Sequence, residues 1–228
     1  MAGAAGEAAA VDSSLTLVGG AAFRPFRNVW MLEELGVPYN HVSTFPRTKE
    51  ANEVNPLGKI PTLKDGDFVL YESAAINTYL GDKFRGQEGL PTLVPPAATQ
   101  TRGRYEQLVC FLMAEVDAQG LWIHRKHEAL GKVFGAIPEA VAAAKQHTTR
   151  CFEVVAADLK QAGGPYLLGP DFSAADILLV HCLNWAQTIG WLPEAGSEGE
   201  LKGLFEYWEL CKQRPGYKRA AEKRDAKL

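Results

Sequence analysis

A carboxylate and a hydroxyl stand together at the predicted start of a helix. Glu72 and Ser73 follow a strand-like run, and Ile76, Tyr79 and Leu80 then recur on one helical face. The open N–H groups of a helix start attract a carboxylate, and a glutamate attracts an ammonium group. The Glu72–Ser73 pair could therefore bind a ligand that carries both a carboxylate and an ammonium group. On these two residues alone, however, the simpler interpretation is that Ser73 caps its own helix.

The cysteines and histidines form no recognised site. His124 and His127 lie in an HRKHE stretch, which differs from HExxH and has no third ligand at a known spacing, so we interpret it as a charged helix end. His181 is expected to be a hydrogen-bonded core residue. The cysteines lack CxxC or Cys/His metal spacing and indicate a reducing compartment. They are Cys110, Cys151, Cys182 and Cys211.

The composition is that of a soluble globular protein without a polyanionic partner. The 228 residues are 46% hydrophobic and 22% charged, with a formal net charge of −3. This charge gives no reason to expect a nucleic acid or an anionic membrane as partner, and no apolar run is long enough for a membrane span. Residues 1–14 are rich in Ala and Gly and lack the regions of a signal peptide, so we expect a disordered N-terminal extension.

The patterning of residues 15–84 predicts a small α/β domain in the order β-α-β-α-β-β-α. Its predicted strands are Leu15–Val18, Tyr39–Thr44, Ile60–Leu63 and Phe68–Tyr71, the last two joined by an Asp-Gly turn. Its predicted helices begin near Pro25, near Lys49 and at Ser73, and Gly36 ends the first of them.

Residues 85–99 are rich in Gly and Pro and are interpreted as a linker to an all-helical domain over 100–228. A long helix is predicted from Pro138 to Ala162, and another over 173–189. Ser173 and Asp176 have the spacing of a capping box at the start of the latter, which is a simpler role for Asp176 than catalysis.

Three motifs carry a resemblance to the cytosolic glutathione transferases. They are NPLGKIPTLKDGD from Asn55 with YESAAI from Tyr71, GPDFSAAD from Gly169, and RPG from Arg214. The resemblance runs from Leu15 through nearly the whole chain, in matching order and spacing. It implies a thioredoxin-like N-terminal half that binds glutathione and an all-α helical C-terminal domain.

The resemblance also implies how glutathione is bound. Pro61 matches a cis-proline, and the backbone of Ile60 is expected to pair with the cysteinyl part of glutathione as a further strand would. Glu72 and Ser73 match the residues that hold the γ-glutamyl end. Lys59 is expected to pair with the glycyl carboxylate; Arg47 and Lys49 are weaker candidates for the same role.

The sequence departs from the family pattern where the thiol is activated. Phe23 occupies the position at which serine-type classes have their Ser, and no Ser, Tyr or Cys occurs between residues 15 and 29. Backbone amides at Ala22, Phe23 and Arg24 are the remaining donors at the helix start. Arg24 is the cation nearest in sequence, so we expect Arg24→Ala to raise the pKa of bound glutathione. Arg27 is interpreted as structural.

The function implied is conjugation of glutathione to hydrophobic electrophiles, with glutathione as co-substrate and no metal or other cofactor. Trp122 with His124 and His127 is expected to border the electrophile pocket, whereas Trp185 and Trp191 fit either core or pocket. A homodimer in the cytoplasm is expected from the resemblance. Two alternatives stay open: another glutathione reaction (peroxide reduction, ether cleavage, dehalogenation or isomerisation), or a non-catalytic module for ligand binding or assembly.

Overall fold

The computed structural model describes residues 14–193 and 199–225. The predicted N-terminal extension lies outside the described residues except for Ser14. The first half has the predicted order of elements. Its strands are β1 (Leu15–Val18), β2 (Asn40–Val42), β3 (Thr62–Asp65) and β4 (Phe68–Tyr71), and its helices are α1 (Phe26–Leu35), α2 (Lys49–Val54) and α3 (Ser73–Lys83).

The four strands form one mixed sheet in the order β2-β1-β3-β4. β1 pairs parallel with β2 and antiparallel with β3, which pairs antiparallel with β4. The hairpin register differs from the prediction, because Asp65 pairs with Phe68 and the turn is Gly66–Asp67. Gly66 has φ 58°, a left-handed conformation that glycine adopts without a Cβ clash, and this places the turn one residue later than the Asp-Gly pair suggested.

The second half is helical. Its elements are α4 (Gln100–Phe111), a π-helical continuation Leu112–Leu121, α5 (Trp122–His124), a second π-helical stretch Arg125–Ala129, α6 (Gly131–Phe134), α7 (Pro138–Gln161), α8 (Ala174–Thr188), a 3₁₀ turn Gly199–Leu201, α9 (Lys202–Lys212) and α10 (Pro215–Asp225). The long helix starting at Pro138 and the helix after Ser173 are as predicted. None of the described helices is long and apolar enough to cross a membrane.

α8 forms the centre of the helical half, as its apolar sequence predicted. The capping box of Ser173 and Asp176 is present, and Ile177 to Val180 are buried. Asp176 is fully buried and accepts hydrogen bonds from Leu167 N (3.0 Å), Ser173 N (2.8 Å) and the Tyr207 hydroxyl (2.9 Å). Asp176 therefore ties three parts of the helical half together and has a structural role.

α1 joins the two halves, since it packs against α3 on one side and against α8 and α10 on the other. Arg214, just before α10, holds Glu34 of α1 through two hydrogen bonds, from Nε at 2.9 Å and from Nη2 at 2.8 Å. A Cβ at Gly216 would lie 2.6 Å from the Glu34 carboxyl carbon, so a side chain there would displace the Glu34 carboxylate. The C-terminal end of α1 is thereby tied to the helical half.

Candidate functional site

The end of β1, the start of α1 and the loop before β3 meet at one edge of the sheet. A Cβ added at Gly19, just after β1, would lie 2.6 Å from Pro25 Cγ and 2.8 Å from Ile60 Cβ. The Ile60–Pro61 peptide bond is cis, as the resemblance implied. Among the described residues none forms a hydrogen bond with the main chain of Ile60. Its N–H and C=O are therefore available to an extended peptide.

Ser73 lies at this edge but does not cap its own helix. It is the first residue of α3, and Glu72, with φ 72°, precedes it in the capping position. The Ser73 hydroxyl instead accepts a hydrogen bond from Arg27 Nη1 at 3.1 Å, and its carbonyl accepts one from Asn28 Nδ2 at 2.8 Å. The capping interpretation was wrong because two residues of α1 bind Ser73 from below. Glu72 is exposed.

The three candidates for the glycyl carboxylate are all exposed. Arg47, with φ 66°, donates its backbone N–H to the carbonyl of Gly58 at 2.7 Å, which brings it close to Lys59. Lys59 has no carboxylate partner among the described residues, whereas Lys49 lies 3.8 Å from Glu53 in an exposed pair. The structure thus brings the backbone of Arg47 beside the segment that holds Lys59, whereas Lys49 is paired with Glu53 on α2.

The region before α1 offers fewer backbone donors than predicted. Phe23 N–H donates to the carbonyl of Gly20 at 3.2 Å and is therefore already used, while within the described ranges no acceptor faces the amides of Ala22 or Arg24. The Phe23 ring packs edge-on against Phe45, with the centroids 5.8 Å apart. The Arg125 guanidinium, from the second half of the chain, lies 5.6 Å from the same ring.

Arg24 is bound to the helical half. Its Nε donates to Asp117 Oδ2 at 3.0 Å, and its Nη2 contacts the other carboxylate oxygen. The guanidinium carbon lies 5.2 Å from the Trp122 ring and 4.8 Å from the Trp185 ring. Arg24 is thus a partly exposed cation that is paired with Asp117, and both tryptophans lie beside it at the junction of the two halves.

Asp117 also binds Arg27, a residue that the sequence assigned only a structural role. Arg27 Nη2 donates to Asp117 Oδ2 at 2.6 Å, and Arg27 is 1% exposed. Burial raises the pKa of Asp117, but the charge of Arg27 and the hydrogen bonds from Arg24 outweigh burial and hold this pKa well below its ordinary value. Asp117 carried no sequence signal because its partners are about 90 residues away.

The three histidines considered from the sequence differ in burial: His124 is buried, whereas His127 and His181 are partly exposed. The His124 ring packs edge-on against Trp191 at 5.4 Å, and His127 Nδ1 lies 2.8 Å from the carbonyl of Gly135. His181 was expected to be a hydrogen-bonded core residue; its ring has a hydrogen bond with the backbone of Phe23, whereas its Nδ1 is buried without a partner in the described part of the chain. Burial lowers the pKa of His181 well below its ordinary value, with Arg27 adding to the effect, so this ring is neutral.

Comparison with known proteins agrees with this architecture. Residues 25–83 match the family description "Glutathione S-transferase, N-terminal domain", and residues 138–219 match "Glutathione S-transferase, C-terminal domain". Glutathione S-transferase 3 of Zea mays is 31% identical over 176 residues, which cover 73% of this chain and 72% of the maize protein. The glutathione S-transferase-like protein OpS6 of Beauveria bassiana is 26% identical over 206 residues, covering 86% and 89% of the two chains.

Solved structures share the fold. A glutathione S-transferase from Xylella fastidiosa superposes with a TM-score of 0.78 at 22% identity, covering 92% of this chain and 98% of the other. Ure2p superposes with a TM-score of 0.76 at 20% identity, covering 92% and 94%.

A mixed four-stranded sheet with a cis-proline loop, followed by a helical half, defines the class of two-domain proteins with a thioredoxin-like N-terminal domain. Within that class, the chain belongs to the glutathione S-transferase family.

Proposed function

We propose that this protein binds glutathione and conjugates it to hydrophobic electrophiles. The observation that carries the proposal is the meeting of the cis Ile60–Pro61 loop, the start of α3 and the start of α1 at one edge of the sheet. The free main chain of Ile60 pairs with the cysteinyl residue, Ser73 and Glu72 bind the γ-glutamyl end, and Lys59 with Arg47 binds the glycyl carboxylate.

The junction of the two halves beside this edge would hold the apolar second substrate. Phe23, Trp122 and Trp185 lie there beside Arg125 and Arg24, and aromatic side chains bury large apolar areas with defined geometry. The backbone amides of Ala22 and Arg24 would stabilise the thiolate together with nearby cations. The reaction requires no metal or nucleotide, since a thiolate and an electrophile suffice.

Relatives support the glutathione part of the proposal. The Zea mays relative bears the name glutathione S-transferase, and Ure2p was solved in complex with glutathione.

We further propose that the protein is a cytoplasmic homodimer. Apolar side chains on the N-terminal half, half-exposed in one chain, provide a surface for a second copy; they are Phe45, Phe68 and Tyr71.

A non-catalytic ligand-binding or assembly module is the second candidate. The observation that favours it is Phe23, which puts an apolar ring where related enzymes have a hydroxyl, while Asp117 neutralises Arg24. An assembly module, however, has no need of a tripeptide site. Peroxide reduction, ether cleavage, dehalogenation and isomerisation use the same glutathione site and are the alternative reactions.

Calorimetric titration with glutathione, followed by an activity panel of generic electrophiles and a hydroperoxide, tests the proposal. Binding together with conjugation is the expected result. Binding without turnover of any substrate would favour the ligand-binding module, and turnover of the hydroperoxide alone would favour a peroxidase. The absence of binding at millimolar glutathione would overturn the proposed function.

A further inference from the structure

The hydrogen bond between Arg27 and Ser73 determines whether the Ser73 hydroxyl can act as a donor or as an acceptor toward a ligand. A guanidinium has donors and no acceptor, so the Ser73 oxygen must accept from Arg27 Nη1, at 3.1 Å. The hydroxyl hydrogen of Ser73 is then left for another acceptor. In the described part of the chain this hydroxyl has no second partner. Arg27 therefore holds Ser73 as a donor at the start of α3.

The cluster beneath Ser73 also carries an excess positive charge. Two guanidiniums, of Arg24 and Arg27, share the single carboxylate of Asp117. Burial keeps the His181 ring neutral and raises the pKa of Cys182 to about 12, so neither changes this balance. Arg24 is partly solvated, with 28% of its side chain exposed, whereas Arg27 is 1% exposed. The uncompensated charge is thus buried directly beside Ser73.

A buried charge is costly unless it is paired. A carboxylate bound at Ser73 would receive the free hydroxyl hydrogen and the open N–H groups of α3, and would balance the cluster's charge. The free hydroxyl hydrogen of Ser73 and the excess positive charge of the cluster both indicate a carboxylate as the ligand at Ser73.

We propose that Arg27 is the positioning residue of the carboxylate subsite, acting through Ser73 on the γ-glutamyl α-carboxylate of glutathione. Asp117 of the helical half holds Arg27 in place through its 2.6 Å hydrogen bond. The helical half thereby contributes to affinity for an end of glutathione that it does not touch. This inference rests on the proposed function and goes beyond it, because it assigns the specificity for one carboxylate to a buried pair.

The test compares glutathione with 4-aminobutyryl-cysteinyl-glycine, which lacks only the α-carboxylate of the γ-glutamyl residue. Calorimetry gives the Kd of the analogue divided by the Kd of glutathione, and this Kd ratio is compared among wild type, Arg27→Gln and Arg27→Lys. We expect Arg27→Gln to lower the ratio about tenfold, because glutathione binding weakens while binding of the analogue hardly changes. Arg27→Lys keeps the charge but lacks the fork that reaches both Ser73 and Asp117, so its ratio should fall less.

Arg214→Gln is the matched control, since it removes another arginine–carboxylate contact to α1, with Glu34, and does not touch Ser73. Its Kd ratio should equal that of wild type even if stability falls. A ratio unchanged in whichever Arg27 variant folds would overturn the inference and leave the proposed function intact. Absence of glutathione binding by wild type would overturn both.

Discussion

Arg24 and Asp117 form a two-point ion pair that crosses from the start of α1 to the π-helical stretch of the second half. Because the carboxylate takes two of the guanidinium's hydrogen bonds, much of the positive charge of Arg24 is compensated before any ligand arrives. Arg125 differs: it lies 5.6 Å from the Phe23 ring and has no acidic partner in the described ranges. Arg125 therefore contributes a stronger positive potential than Arg24 at the position near Phe23 where the glutathione thiol is expected.

We predict that Arg125→Ala raises the apparent pKa of bound glutathione by about one unit, which corresponds to about 1.4 kcal/mol less stabilisation of the thiolate. Arg24→Ala, first expected from the sequence to have this effect, should cause a smaller rise because Asp117 compensates the charge it removes. The measurement is thiolate absorbance of the glutathione complex as a function of pH.

Lys126→Ala provides the control for this comparison, since it deletes the neighbouring positive charge in the same helical stretch. It should leave the thiol pKa nearly unchanged. A larger shift in Arg24→Ala than in Arg125→Ala would show that the ion pair does not neutralise Arg24 and would remove Arg125 from the mechanism.

The stability of the domain junction should depend on pH through Asp117. The folded state lowers the pKa of this carboxyl below its ordinary value of 3.8. Its contribution to stability is therefore fully present above that value and is lost as the pH falls below it. At pH 7, Asp117→Asn leaves two arginines without their counter-charge and should cost about 3–5 kcal/mol of unfolding free energy.

Urea denaturation at pH 7 and at about pH 3 measures the unfolding free energy of both proteins. The difference in unfolding free energy between wild type and Asp117→Asn should be smaller at the lower pH. Asp158→Asn is the control, because Asp158 pairs with Arg104 at a partly exposed site where such pairs contribute about 0–1 kcal/mol. A gap of equal size at both pH values would contradict the assigned role of the Asp117 charge.

The order of elements followed from the sequence because each signal was local. Gly36 adopts φ 68° where the end of α1 was predicted, and Thr48 caps α2 by accepting from Ala51 N. The hairpin turn was misplaced by one residue because both Asp65 and Gly66 are turn formers. Only the pairing of β3 with β1 and β4 decides between them, and this pairing is a tertiary property.

The candidate site was predicted less completely than the fold. The motif residues Pro61, Glu72 and Ser73 were found because they are close in sequence and match a family pattern. Arg27 and Asp117 were missed as site residues, since the contacts that define them join parts of the chain 46 and 90 residues apart. Ionic contacts of this kind have no periodicity, so a sequence pattern cannot indicate them.

The capping box of α8 gives a test of stability that is independent of the glutathione site. Ser173→Ala removes one cap and should cost about 0.5–2 kcal/mol. Asp176→Ala should cost more, because it leaves the buried donors of Leu167, Ser173 and Tyr207 without an acceptor, at about 1–3 kcal/mol for each unsatisfied group. Urea unfolding of both variants makes the comparison; equal losses would refute the central role of Asp176.

Glutathione affinity should depend on the Ser73 hydroxyl. Ser73→Ala removes a hydrogen bond to a charged carboxylate and is expected to weaken binding by about 1.5–3 kcal/mol, which is roughly a tenfold to hundredfold rise in Kd. Ser14→Ala is the matched control, as Ser14 is exposed before β1, at the opposite end of that strand, and donates to Asp65 at 3.1 Å. Equal affinities of Ser73→Ala and wild type, measured by calorimetry, would exclude Ser73 from the site.

Phe23→Ser should restore the hydroxyl that the sequence lacks. A hydrogen bond to a thiolate would contribute about 1.5–3 kcal/mol, enough to lower the thiol pKa by about one to two units. The ring is half-buried and contacts Phe45 and Arg125, so its loss costs some packing. We expect a lower thiol pKa and conjugation activity at neutral pH that is equal or higher. Phe23→Ala loses the same ring without gaining a hydroxyl; identical pKa values in the two variants would show that position 23 does not face the sulfur.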